Sequence, residues 1–111
     1  MASINYAALR IVLNRVDVSK KVDAIISRCS SFKIGKTGDT LYERLNNYDG
    51  EYNHIESVFK GVELEVDEME SYLIDKYKNH PKCNNIKVGS ASYNDSMAED
   101  AEMYHVYVVW N

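Results

Sequence analysis

The residues best suited to chemistry lie in FKIGKTGDTLYERLNNY, residues 32–48, where Gly35-Lys36-Thr37 has the form of the Gly-Lys-Thr end of a phosphate-binding loop. Such a loop wants a glycine five residues before Gly35, where this chain has Ser30, and a helix beginning at Thr37, where Gly38-Asp39 makes a turn instead. The nucleotide-loop reading fails on both counts. What remains is a short apolar segment ending in Ile34-Gly35, a basic turn, and a helix carrying Arg44 beside Leu45. A guanidinium in that place can spread positive charge over phosphate oxygens during hydrolysis. Farther along, Glu70 on a helix can hold a hard divalent cation. The other reactive types give weaker leads. His54, His80 and His105 are scattered without ligand spacing, and Cys29 and Cys83 form neither a disulfide framework nor a zinc pattern. Tyr6, Tyr72 and Tyr77 sit at helical spacings that suit packing better than base stacking.

Lys33-Ile34-Gly35, followed by Lys36-Thr37 and by Arg44-Leu45 in the next helix, resembles the YIG half of a GIY-YIG nuclease domain. The form is that of the viral and phage-like subgroup, whose second motif reads KIG followed by Lys or Arg and then Thr. Downstream, Glu70-Ser71-Tyr72-Leu73-Ile74 is similar to the family's helix with its metal-binding glutamate, and Asn84 or Asn85 lies where the family often has an Asn. The resemblance spans Phe32 to Asn85. It implies a metal-dependent endonuclease that hydrolyses nucleic-acid phosphodiester bonds, DNA foremost. Arg44 would be catalytic, Glu70 would hold Mg²⁺ or Mn²⁺, and Lys33 or Lys36 would add charge or orient the water. Lys33, Lys36, Arg44 and Asn85 would meet the nucleic acid.

The family's first strand, with its GIY tyrosine, should precede Phe32, but here the preceding residues read as helices. Tyr104-His105-Val106-Tyr107-Val108-Val109 reads like such a strand, and a terminal strand can pair beside Phe32–Gly35 whatever its place in the chain. The expectation is a permuted domain in which Tyr104 or Tyr107 supplies the phenolic base. A phenol with its ordinary pKa of about 10 is a poor base at neutral pH, so Lys and metal charge would have to lower it. A second reading keeps the scaffold without the chemistry, as an interaction module for protein or nucleic acid.

These residues must be held by elements, and the patterns give an α+β fold: a small central antiparallel sheet flanked by helices. Ser3 caps a first helix ending near Asn14 or Arg15, and a second runs from Val18 to Arg28 with Val22, Ile25, Ile26 and Cys29 on one stripe. Phe32–Gly35 is a buried strand. Asp39 or Thr40 caps a helix reaching Asn47, closed by Tyr48-Asp49-Gly50, and Tyr52–Phe59 reads as a strand. Val66–Asn79 is the strongest helix, with Asp67 and Glu68 at its positive end and Pro81 beyond it. Ile86–Val88 reads as a brief strand, residues 90–102 as an exposed polar excursion, and Met103–Trp110 as a final strand.

The bulk numbers bound these readings. At 111 residues the chain suits one domain, and 45% apolar with 27% charged residues is the balance of a folded protein. No apolar run is long enough to span a bilayer, and Arg10, Asn14, Arg15 and Asp17 interrupt any leader-like stretch, so the expected setting is cytoplasmic, in the host cell if the source is a virus. The net charge of −4 speaks against broad attraction to nucleic acid and requires any phosphate site to be a local basic cleft of Lys33, Lys36 and Arg44. A homodimer or a separate protein partner is left open by a chain this small.

Overall fold

The structure is a computed structural model that describes residues 6–85 and 103–111, with side chains of the first helix described from Leu13 onward. No Gly or Pro falls between residues 6 and 26, and the chain there forms one continuous helix, α1 (Tyr6–Ile26). The expected break near Asn14 is absent. Val16-Asp17 offers no cap or breaker strong enough to end a helix, and the buried stripe Val18, Val22 and Ile25 holds its second half against the core.

Strand β1 (Phe32–Thr37) runs two residues past the expected stop at Gly35, because Gly35 stays within the ladder and the turn comes at Gly38-Asp39. Helix α2 (Leu41–Asn47) follows, with the Thr40 hydroxyl accepting the Glu43 N–H at 3.2 Å, which satisfies one of the orphan donors of the first turn. Asp49 and Gly50 take positive φ and turn the chain into β2 (His54–Gly61), which begins and ends two residues later than the pattern suggests. Helix α3 (Glu63–Tyr77) begins three residues earlier than expected, where the Glu65 carboxylate accepts the Val62 N–H at 3.3 Å. The last element is β3 (Tyr104–Trp110). The expected strand at Ile86–Val88 and the excursion at 90–102 lie outside the described residues.

The sheet order is β1-β3-β2, and both pairings are antiparallel. The strand Tyr104–Trp110 thus sits in the centre and pairs along Phe32–Thr37, with Gly35 opposite Tyr107. Alternation along β3 sorts the core into two sides. Tyr104, Val106 and Val108 join Phe32, Ile34, Met69 and Leu73 on the side covered by α1 and α3. Tyr107 and Val109 face the other side and pack with Tyr52 and the half-buried Leu41, Leu45 and Tyr48 of the α2 region. A bulge on β2 makes Val58 an extra residue between the Ser57–Tyr107 and Phe59–Val106 pairs, and it turns Val58 into the α1/α3 side. The outer edge of β1 is closed by the segment after Pro81, for Phe32 N donates to Lys82 O and Asn84 N to Phe32 O. Among the described residues no helix is long and apolar enough to cross a membrane.

Candidate active site

Arg44 lies in the last turn of α2, on a helix held down by Leu41 and Leu45, and it is only 7% exposed. A guanidinium so buried needs strong partners. Its Nε donates to the Tyr107 hydroxyl at 2.9 Å, joining residues 63 positions apart in the chain. Tyr107 is wholly buried, and its hydroxyl also lies 2.6 Å from that of Tyr48. Tyr48 follows α2 directly and is half-buried, so it forms the outer end of a chain running Arg44, Tyr107, Tyr48.

Gly35 makes that chain possible. A Cβ placed on it would fall on the Tyr107 hydroxyl and 2.5 Å from Cζ, so any side chain there would evict the ring. Beside it, Lys33 holds its Nζ 5.4 Å from the centre of the Tyr48 ring, a cation–π distance. Tyr48 also packs edge-on against Tyr52 at 5.2 Å, and the Tyr52 hydroxyl accepts from Asn84 Nδ2 at 2.9 Å. Burial raises the Tyr52 pKa despite the opposing Asn84 donor, so this phenol stays neutral. On this side of the sheet one cation is placed at hydrogen-bond distance from a pair of coupled phenols, and a second lies over one of them.

Lys36 continues from Gly35 toward α3. Its Nζ is 2.6 Å from Asp67 Oδ1 and 3.8 Å from Glu70 Oε1, carboxylates one turn apart on one helix face. Burial works against the ammonium, but the Asp67 hydrogen bond and the Glu70, Asp67 and Glu63 charges outweigh it, and the Lys36 pKa is raised. Adjacent residues of β1 project to opposite faces of the sheet, so Gly35 receives the Tyr107 ring on the α2 side while Lys36 pairs with Asp67 and Glu70 on the α1/α3 side. Among the described residues no three His, Cys, Asp or Glu side chains are grouped around a common point. The donor chemistry at Glu70 and Asp67 nevertheless fits Mg²⁺ or Mn²⁺, which are commonly held by one or two carboxylates, with water and substrate phosphate oxygens completing the shell.

The two tyrosines offered by the sequence lie on opposite sides of the sheet. Tyr107 meets Arg44, whereas Tyr104, opposite Gly61, is buried in the α1/α3 side of the core. Asn85 accepts the Ile34 N–H at 2.8 Å and donates to the Ile34 carbonyl at 2.7 Å, so its amide completes the edge of β1. That bidentate bond makes it a support for the motif strand. Two residues were read from the sequence only as structural, Tyr48 at a helix end and Asp67 at a helix start, although their spacing carried a further signal. Tyr48 is four residues after Arg44 and Asp67 three before Glu70, each on the same helical face or its continuation.

The motif residues thus fall into two groups on opposite faces of the sheet: Arg44 and Tyr107 with Tyr48, flanked by Lys33, on the α2 side, and Lys36 and Glu70 with Asp67 on the α1/α3 side. Comparison with protein-family models, with curated proteins and with solved structures finds no match to this chain.

Proposed function

We propose that the protein is a GIY-YIG-like, metal-dependent endonuclease that hydrolyses phosphodiester bonds of nucleic acid, DNA foremost, in the cytoplasm. The observation that carries the reading is the 2.9 Å bond from Arg44 Nε to the Tyr107 hydroxyl, which unites the motif arginine with a tyrosine from the far end of the chain. Arg44 and Lys33 bind the phosphate and offset the charge that builds on its oxygens. Arg44 donates to Tyr107, and the 2.6 Å contact lets a proton be shared between Tyr107 and Tyr48, the less buried of the two. Tyr48 then takes the proton of the attacking water while Tyr107 and Arg44 stabilise the chain behind it. Glu70, with Asp67, would hold Mg²⁺ or Mn²⁺ on the α1/α3 side of the sheet, and such a cation would supply Lewis-acid chemistry.

The acidic net charge and the engagement of Lys36 by Asp67 and Glu70 favour a second reading, a binding module that keeps the scaffold without cleavage. Labelled single- and double-stranded DNA and RNA incubated with Mg²⁺ or Mn²⁺ separate the two. The endonuclease cuts and loses cutting in Arg44→Ala and Glu70→Ala variants that still fold. A folded wild type that binds without cutting establishes the module instead.

A further inference from the structure

Helix α1 carries apolar residues on two opposite faces. Val18, Val22 and Ile25 are buried in the core, and Arg15, on the same face, stacks its guanidinium on the Tyr72 ring of α3 at 4.6 Å, so this face turns inward. Leu13 and Val16 are instead 58% and 53% exposed, and at about 100° per residue they lie on the far side of the helix from Val18. Tyr6, Leu9, Leu13 and Val16 are separated by three, four and three residues, the spacing of a coiled-coil seam, and Lys20 extends the line. Scattered exposed apolar residues are ordinary, but a repeat aligned along a 21-residue helix is a stripe that a second helix can cover.

We propose that the chain forms a two-fold dimer in which α1 packs antiparallel against α1 of a second copy along this stripe. The charges beside the stripe choose the partner and its direction. Arg10 and Asp17 occupy the same flank one heptad apart, and Asp17 is exposed. In an antiparallel pair like flanks face each other, so Arg10 of each copy meets Asp17 of the other, two ion pairs from one two-fold axis. The same register sets Leu13 against Val16 of the second copy, and Leu9 against the aliphatic stem of its Lys20. A parallel pair would bring the two Lys20 ammonium groups together in the seam. The flank is of mixed sign, unlike the basic rim of a helix that lies on an anionic membrane. Helix α1 covers the opposite face of the sheet from Tyr107 and Arg44, so the pairing leaves that group uncovered in both copies and is independent of the endonuclease reading.

The test is analytical ultracentrifugation of the purified full chain over a range of concentrations. Wild type should dimerise with a dissociation constant on the order of 10 µM, the weak end that suits an interface under about 800 Å² per partner. Leu13→Lys and Val16→Lys, at exposed positions where the wild-type circular dichroism should be kept, should each weaken the dimer about tenfold or more. Arg10→Glu and Asp17→Arg should each weaken it about fivefold, and the double variant Arg10→Glu/Asp17→Arg should return it to within about twofold of wild type. That recovery is a readout that loss of folding cannot imitate. A chain that is monomeric at every concentration overturns the proposal and leaves the stripe to a different partner. A dimer indifferent to both stripe substitutions overturns it as well, as does a double charge reversal that stays as weak as the single ones.

Discussion

Tyr107 meets three demands with one side chain: it fills the core under α2, it occupies the space over Gly35, and its hydroxyl serves Arg44 and Tyr48. Tyr107→Phe keeps the first two and removes the third, so it should cost about 1–3 kcal/mol in urea unfolding, the penalty for depriving buried polar groups of a partner. Gly35→Ala places a methyl group against the same hydroxyl and should destabilise by a similar ~1–3 kcal/mol through overpacking, with displacement of the Tyr107 ring visible by NMR. His105 gives a pH signature. Burial, aided by the Lys60 charge, lowers its pKa, and its Nδ1 lies 2.7 Å from the Ser57 hydroxyl. A lowered folded-state value means that the fold prefers the neutral ring, so this contribution is intact above the unfolded histidine pKa of about 6.5 and is lost as pH falls through the folded value. The melting temperature should drop as pH falls below the unfolded histidine pKa of about 6.5, and His105→Gln should drop less. Arg44 and Glu70 were singled out by the resemblance, but nothing in the sequence said that Tyr107 rather than Tyr104 would meet Arg44. Tyrosines three apart on a strand face opposite sides of the sheet, and no feature of YHVYVVW says which side carries α2.

At the scale of elements, α2 is the piece that holds the site, and its seven residues are too few to be helical without help. The Thr40 cap and the Leu41–Leu45 contact under it supply that help. Thr40→Ala should cost about 1 kcal/mol of stability by chemical denaturation, and it should loosen Arg44 before the rest of the fold, seen as faster amide exchange in α2. The Thr40 cap and the end at Tyr48-Asp49-Gly50 were readable because Thr, Asp and Gly act locally. The single span of α1 was not, since the expected break near Asn14 rested on propensity alone and the packing of Val18, Val22 and Ile25 overrode it. The early start of α3 has the same origin: Glu63 and Leu64 are exposed and leave no apolar period, and the carboxylate of Glu65 supplies the cap instead.

At the scale of the whole molecule, the central strand comes last in order among the three strands described, and every hydrogen bond between them depends on it. A chain ending at Met103 leaves β1 and β2 without a common partner and should show no cooperative unfolding by circular dichroism, since a sheet cannot persist as two unpaired strands. That residues 104–110 form a strand was readable from their Tyr and Val density, and their pairing beside β1 was expected only through the resemblance, which calls for a strand there. That the strand would lie between the other two was not, because pairing partners far apart in sequence leave no local mark. This topology also carries the central claim, for it alone brings Tyr107 to Arg44. The most direct test is the rate of Mg²⁺- or Mn²⁺-dependent cleavage by Tyr107→Phe set beside Tyr104→Phe, both verified as folded. The account predicts a loss on the order of a hundredfold or more in Tyr107→Phe, the range for removing part of an acid–base apparatus, with Tyr104→Phe close to wild type. Cleavage by Tyr107→Phe at the wild-type rate, or an equal loss in both variants, would contradict it.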